Sequence, residues 1–320
     1  MTAKAWETNG KAARTVDEVF FQNDAVSLCL LVHRRAKTMR VVDFRAGPSR
    51  AKRMLVLSLA RREDVEKVYT LVERDEVSTW IKLGFAKEGS IPGFYKRSDA
   101  FLLGRTVPPT GDDDTQHPRD SEVRIAIGGD GDGHELSSPA ESEAHIRAEK
   151  TLVQAKKLAK ELLGRALPSA KVAPASDADV KKAIAATLRS GRALTTFEPF
   201  GRDVEREHVV VTSRGGFELY ASIESQACFG NAFLELLTAP RSDAEKTATV
   251  AAVGALVARL VAQGVVSCFS LVPSDDVRLA AAFAAHGFRR TGLLQNHVVV
   301  GGERKDAILF SRKLANPADD

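Results

Sequence analysis

The sequence predicts an α+β protein of two halves, each a mixed, mostly antiparallel sheet flanked by helices. Three observations carry this. Short β-branched and aromatic runs alternate with helix-period runs along the chain, so strands and helices are interleaved. A stretch rich in Pro, Gly and Asp, residues 108–138, splits the 320 residues, a length that itself anticipates about two domains. The two parts also end alike. "STWIKLGFAKEGSIPGFYKRSDAFLLGR" before the stretch and "AAFAAHGFRRTGLLQNHVVVGGERKDAILFSRKL" at the end both run helix, Gly-Phe, hairpin, with Asp99-Ala100 and Asp306-Ala307 opening the last apolar strand. An internal duplication is the economical account. The expected division is a first half over 1–107, an acidic flexible linker over 108–138 and a second half over 139–320.

Composition narrows the field. Hydrophobic residues are 44% and charged residues 28% of the chain, which excludes a wholly disordered or collagen-like protein. Lys+Arg is 46 against 42 Asp+Glu, a net charge of +4, too even a balance to imply nucleic-acid binding. Cys29, Cys228 and Cys268 form no C-x-x-C, so a disulfide framework and a zinc site are not expected; apolar surroundings predict three buried thiols. Arg259 and Gln263 interrupt the most apolar stretch, Ala248–Val266, which reads as a packed helix and not a membrane span. The start is polar and shows no signal peptide. A soluble, cytoplasmic protein is the default expectation.

In order, Val26–Val32 and Met39–Phe44 read as strands around a basic turn. Ser49 can cap a helix running to Arg62. Lys67–Val72 is a strand, and Asp75–Leu83 a helix stopped by Gly84. Strands around Phe94 and over Phe101–Leu103 close the first half. In the linker, Val123–Ile127 is a strand-like island. Asp130-Gly131-Asp132-Gly133 is similar to part of a calcium loop but lacks the closing glutamate, so a solvated turn is expected. Ala140–Leu163 is a helix with acids early and lysines late, as the helix dipole favours. A second helix, Asp177–Leu188, follows. Strands are expected at His208–Thr212, Phe217–Ile223 and Ala232–Leu237. A loop over Thr238–Asp243 leads into a long Ala/Val helix to about Ala262. Val265–Leu271 is a strand, Asp275–His286 a helix, and Leu293–Val300 with Ala307–Lys313 a hairpin turned by Gly301-Gly302.

This closing order of strand, loop, helix, strand, helix ending in Gly-Phe, and hairpin resembles the C-terminal half of the GNAT N-acetyltransferase superfamily. It covers about Val209–Leu314, and more thinly Val26–Val107, which lacks the family's opening helices. The resemblance implies direct transfer of an acetyl group from acetyl-CoA, or another acyl-CoA, to an amine of a small molecule or protein, by a carboxylate base and without a metal. One half would be active and the other structural, packed as an internal pseudo-dimer. The other reading is a catalytically degenerate GNAT-fold module for acyl-CoA sensing or protein interaction.

Such chemistry needs a base, a hold on the cofactor pyrophosphate and a proton donor for the leaving thiolate. In the second half, Glu235 stands on the strand before the loop, where the family places its base; a solvent-facing strand glutamate is the plain alternative. Arg241, Ser242 and Lys246 occupy the pyrophosphate position, but that loop has no glycine and carries Asp243 and Glu245. In the first half, Asp43 is the corresponding carboxylate. Arg45, Gly47, Arg50, Lys52 and Arg53 form a loop better suited to phosphate, within a run from Arg34 to Arg53 of eight basic residues and one acidic. A cofactor phosphate, a nucleic-acid stripe and plain surface charge are the three accounts of that run. Nucleic acid ranks last, because the run carries no recognised nucleic-acid motif and its one aromatic residue is Phe44. The family's Tyr donor is replaced by Phe283 in one half and Trp80 in the other. Tyr95 borders the expected acceptor position. His33 is expected at the surface, and His286 at a helix end as a dipole-favoured cation.

Overall fold

The structure, a computed structural model, describes residues 16–22, 26–43, 47, 49–107, 139–202, 204–226 and 228–315. The first half contains β1 (Val16–Gln22), β2 (Ser27–His33), β3 (Thr38–Asp43), α1 (Arg50–Arg62), β4 (Lys67–Val72), α2 (Val77–Lys82), β5 (Ala86–Ile91) and β6 (Ala100–Thr106). The second contains α3 (Pro139–Leu163), β7 (Ala170–Pro174), α4 (Asp177–Arg189), β8 (Glu205–Ser213), β9 (Phe217–Gln226), β10 (Asn231–Leu236), α5 (Asp243–Ala262), β11 (Ser267–Pro273), α6 (Val277–Ala285), β12 (Arg289–Val300) and β13 (Glu303–Lys313).

All thirteen strands join in one sheet, ordered β1-β2-β3-β4-β6-β5-β12-β13-β11-β10-β9-β8-β7. Every pairing is antiparallel except β3–β4 and β10–β11. Four of the helices, α1, α4, α5 and α6, begin where short polar side chains cap them. Ser49 accepts from Lys52 N, Ser176 from Asp179 N, Ser242 from Glu245 N and Asp276 from Leu279 N, each satisfying an amide the helix leaves over. α3, α5 and α6 bury their apolar stripes on the second-half strands, while α1 and α2 cover the first. An aromatic core of Tyr69, Phe94, Phe200, Phe233 and Phe269 lies between the halves. Asn231 Nδ2 donates to Phe94 O (2.9 Å) and Ser267 Oγ to Pro92 O (2.8 Å) across the same seam.

Several expectations need correction. The strand expected around Phe94 is instead Ala86–Ile91, because Pro92 and left-handed Gly93 (φ +66°) end the ladder and put Phe94 in the turn. The helix expected from Asp75 opens with a 3-10 turn, Arg74–Glu76. β1 and β7 give no clear strand signal: β1 lies at a sheet edge with alternate residues exposed, and β7 is short and ends in Pro174. Cys29 and Cys268 are buried, but Cys228, in the turn before β10, is exposed. The linker 108–138, with its strand-like island and Asp-Gly turn, lies outside the described residues.

The halves meet edge to edge at Gly292 and Gly89. A Cβ built on Gly292 would lie 2.6 Å from Gly89 Cα, and one on Gly89 would lie 2.9 Å from Gly292 Cα. Only residues without side chains let these two strands pair. Gly292→Val is expected to cost about 1–3 kcal/mol by overpacking and to loosen the junction. Thermal denaturation and protease sensitivity of the seam measure the two effects.

Candidate functional site

Parallel strands β10 and β11 pair only over Asn231–Phe233 and Ser267–Phe269. Beyond that they part, and the carboxyl ends of parting strands are where an open sheet receives ligands. A cavity of about 100 Å³ opens at this point. β10 lines it with Phe233, Glu235 and Leu236; β11 with Ser270 and Leu271; the first half with His33, Arg35 and Tyr69. Glu198 and Phe200, from the segment between α4 and β8, Phe283 of α6 and His297 of β12 also line it.

Glu235 therefore faces the cavity, not bulk solvent. It is half-buried, and Thr195 Oγ1 donates to it at 2.8 Å. Burial pushes its carboxyl up to about 8. Glu224 and Glu198 push the same way, while the Thr195 bond and Arg206 oppose them. A carboxyl titrating near neutrality in a cleft is what proton transfer requires. Glu198 is also raised, chiefly by burial.

His33, expected at the surface, is 4% exposed, because the second half covers that strand end and sets Glu198 Oε2 3.9 Å from its Nδ1. Burial, aided by Arg40 and Arg206, lowers its pKa to about 4. His297 lies in an irregular stretch of β12, where pairing to β13 breaks between Leu294 and Val298 and Asn296 takes φ +48°. Bulges of this kind re-aim side chains. Its ring stands edge-on to Tyr69 at 4.7 Å, and burial lowers its pKa well below the usual range.

The segment bearing Glu198 is fastened from below. Phe200 N and Gly201 N donate to Glu224 (2.9 and 2.5 Å), and Arg206 bonds Glu224 and Phe197 O (both 2.7 Å). Phe197 itself has φ +59°, a strained conformation of the sort found at functional sites. No motif announces Glu198, His33, His297 or Tyr69. Positions this far apart in sequence meet only through the fold.

Arg241, Ser242 and Lys246, expected from sequence at a pyrophosphate, lie at the start of α5, where the Ser242 and Lys246 side chains and the Arg241 backbone amide are engaged. Ser242 Oγ accepts from Glu245 N (3.1 Å), the Glu245 carboxylate accepts from Arg241 N (2.8 Å) and Arg192 Nη2 (3.2 Å), and Lys246 pairs with Asp243 (2.8 Å). The helix terminus thus carries its own anion. A cleft of about 560 Å³ beside it presents Arg192 and Arg214.

In the first half, Lys52 forms a buried ion pair with Asp43 and donates to Gly47 O at 3.0 Å. Arg50 is exposed and Arg53 partly so, and α1 has no acid in its first turn. Arg45 lies outside the described residues. Tyr95 packs on Phe94 and Phe229 (4.9 and 5.1 Å), burial raises its hydroxyl to about 12, and it does not line the cavity. Trp80 and Phe283 are buried in aromatic contacts. His286 is not a dipole-favoured cation: burial lowers its pKa and its Nε2 bonds Val250 O at 2.7 Å. Among the described residues no group of three or more His, Cys, Asp or Glu could hold a metal ion, and no helix is long and apolar enough to cross a membrane.

No family model and no curated protein matches the chain. Solved structures of acetyltransferases align with about half of it. The ribosomal-protein-S18-alanine N-acetyltransferase of Escherichia coli is 15% identical with a TM-score of 0.34, over 47% of this chain and 97% of that one. The spermidine N-acetyltransferase SpeG of Vibrio cholerae, as its N152L mutant, is 13% identical with a TM-score of 0.37, over 46% and 94%. The yncA protein of Salmonella typhimurium, solved with its cofactor acetyl-CoA, is 16% identical with a TM-score of 0.36, over 47% and 97%. Likeness at this level carries no argument about activity, which rests on the chain's own geometry.

Proposed function

We propose that the chain is an N-acyltransferase that moves an acetyl group from acetyl-CoA, or another acyl-CoA, to an amine of a small molecule or protein, with its working centre at Glu235. The observation that carries this is a carboxyl titrating near 8 on the wall of a cavity where two parallel strands part. An amine must lose a proton before its nitrogen attacks a thioester carbon and the carbon–sulfur bond breaks. Glu235, directly or through water, is placed to take that proton. The two halves are then a working second half, 139–320, and a first half, 1–107, that closes the cavity.

The start of α5 fits a pyrophosphate poorly in one respect, since the Glu245 carboxylate already takes the Arg241 amide and Ser242 Oγ takes the Glu245 amide. Arg192, Arg214, Arg241 and Lys246 are the cations around it. In the first half, Gly47, Arg50 and Arg53 are the residues left to meet a phosphate, because Lys52 is held by Asp43.

The Glu245 contacts, and aromatic residues in place of a hydroxyl donor at Trp80 and Phe283, favour a second reading: a module that binds acyl-CoA or a protein without turnover. Calorimetric titration with acetyl-CoA and CoA, paired with thiol release across a panel of amines, separates the two. Saturable binding with amine-dependent thiol release is expected. Binding without release supports the module, and neither binding nor release rejects both.

A further inference from the structure

The cavity holds more polar chemistry than one base requires. His33 and His297 are 4% and 7% exposed, and His33 Nε2 and His297 Nδ1 have no partner among the described residues. Buried polar atoms left unsatisfied along one cavity are costly unless something outside the chain meets them. The acidic and basic side chains in the lining are two carboxyls, Glu198 and Glu235, and one guanidinium, half-buried Arg35 in the turn between β2 and β3. Arg35 lies near enough to Glu198 for its charge to favour the carboxylate form. The two imidazoles, neutral through burial, each offer one N–H and one lone pair. The volume, about 100 Å³, is several times the ~30 Å³ share of a liquid water, and Tyr69, Phe200 and Phe233 wall it with rings.

We infer that this cavity accepts a compact zwitterion of the size and charge of glycine or alanine, its ammonium toward Glu198 and Glu235 and its carboxylate toward Arg35, with His33 and His297 completing its hydrogen bonds. The guanidinium fork suits a carboxylate. A bare amine would use the acidic wall alone, whereas a zwitterion also meets the Arg35 guanidinium. The inference rests on reading the cavity as the acceptor side of the reaction at Glu235, and it gives the first half, through His33 and Arg35, a share of that pocket.

The test is calorimetry on the full chain without acyl-CoA, using glycine, ethylamine and acetate as probes. Glycine is expected to bind about tenfold or more tightly than either single-charge probe. Arg35→Ala should abolish the preference, so that glycine binds no more tightly than ethylamine to the same variant. Glu198→Gln should weaken both. Equal binding of glycine and ethylamine, no binding of any probe, or glycine binding indifferent to Arg35→Ala overturns the inference. Thiol release with ethylamine but no preference for glycine would sink the zwitterion while leaving the transferase. Glycine binding without transfer to any amine would do the reverse.

Discussion

Glu235→Gln is expected to reduce acyl transfer by about 10²- to 10⁴-fold, the range general-base catalysis supplies, while making the protein harder to unfold at neutral and alkaline pH. The two effects share one cause. The folded carboxyl titrates near 8 instead of at its ordinary 4.5, mainly because burial disfavours its charge. Between those values the folded state keeps a proton that the unfolded state releases, so this group's contribution to stability is complete below about 4.5 and is lost as pH rises through about 8. Glutamine carries no such penalty, and its carbonyl can still accept the Thr195 bond. The gain in Tm should be absent at pH 4, grow through neutrality and level off above pH 8. Turnover by the wild type should rise over the upper part of that interval as Glu235 loses its proton. Glu224, Glu198 and Arg206 act on the same carboxyl, so the profile reports the cluster, not Glu235 alone. A Tm difference that ignores pH would mean Glu235 is not held in its neutral form. Loss of transfer with the expected stability gain identifies a residue kept at a structural cost for its chemistry.

How much of this was legible in the sequence follows from what local pattern can encode. Helix α1 came through with its cap, because Ser49 marks the start by a bond made within four residues, and Ser176 and Ser242 make the same bond at α4 and α5. Strands with strong apolar runs, such as Lys67–Val72, came through to the residue. β1 did not, since an edge strand with one wetted face has little apolar signal. Glu235 could be singled out as a candidate because its place before a loop and long helix is a matter of order, which is what the GNAT resemblance rests on. Glu198, His33 and His297 could not, and nothing local could have shown them. His33 is buried only because residues more than 160 positions away cover it, and His297 lies where β12 breaks register with β13. The joining of all thirteen strands into one sheet depends on two glycines, Gly89 and Gly292, each unremarked in its own segment.

Lys52→Met is expected to destabilise the protein by about 3–5 kcal/mol, the cost of removing one partner from a buried ion pair. The Lys52 and Asp43 side chains are 1% and 3% exposed, and Lys52 also holds Gly47 O, fixing the entry to α1. Changing both at once, Asp43→Asn with Lys52→Met, should recover most of the loss, since the pair then leaves no unmatched charge. Urea unfolding of the two single variants and the double one measures the coupling. The same set bears on function. Asp43 stands two residues beyond the last parallel pair of β3 and β4, Val41↔Thr70, as Glu235 stands two beyond Phe233↔Phe269. One register position thus carries a carboxylate in each half, and the neighbours differ: a lysine ammonium beside Asp43, a threonine hydroxyl beside Glu235. The ammonium spends the Asp43 charge on structure, whereas the hydroxyl leaves Glu235 able to take a proton. Turnover by the double variant should therefore stay near that of the wild type even though both of its changes lie at the first half's candidate site. Turnover that falls with Asp43→Asn while stability holds would instead place a working base in the first half.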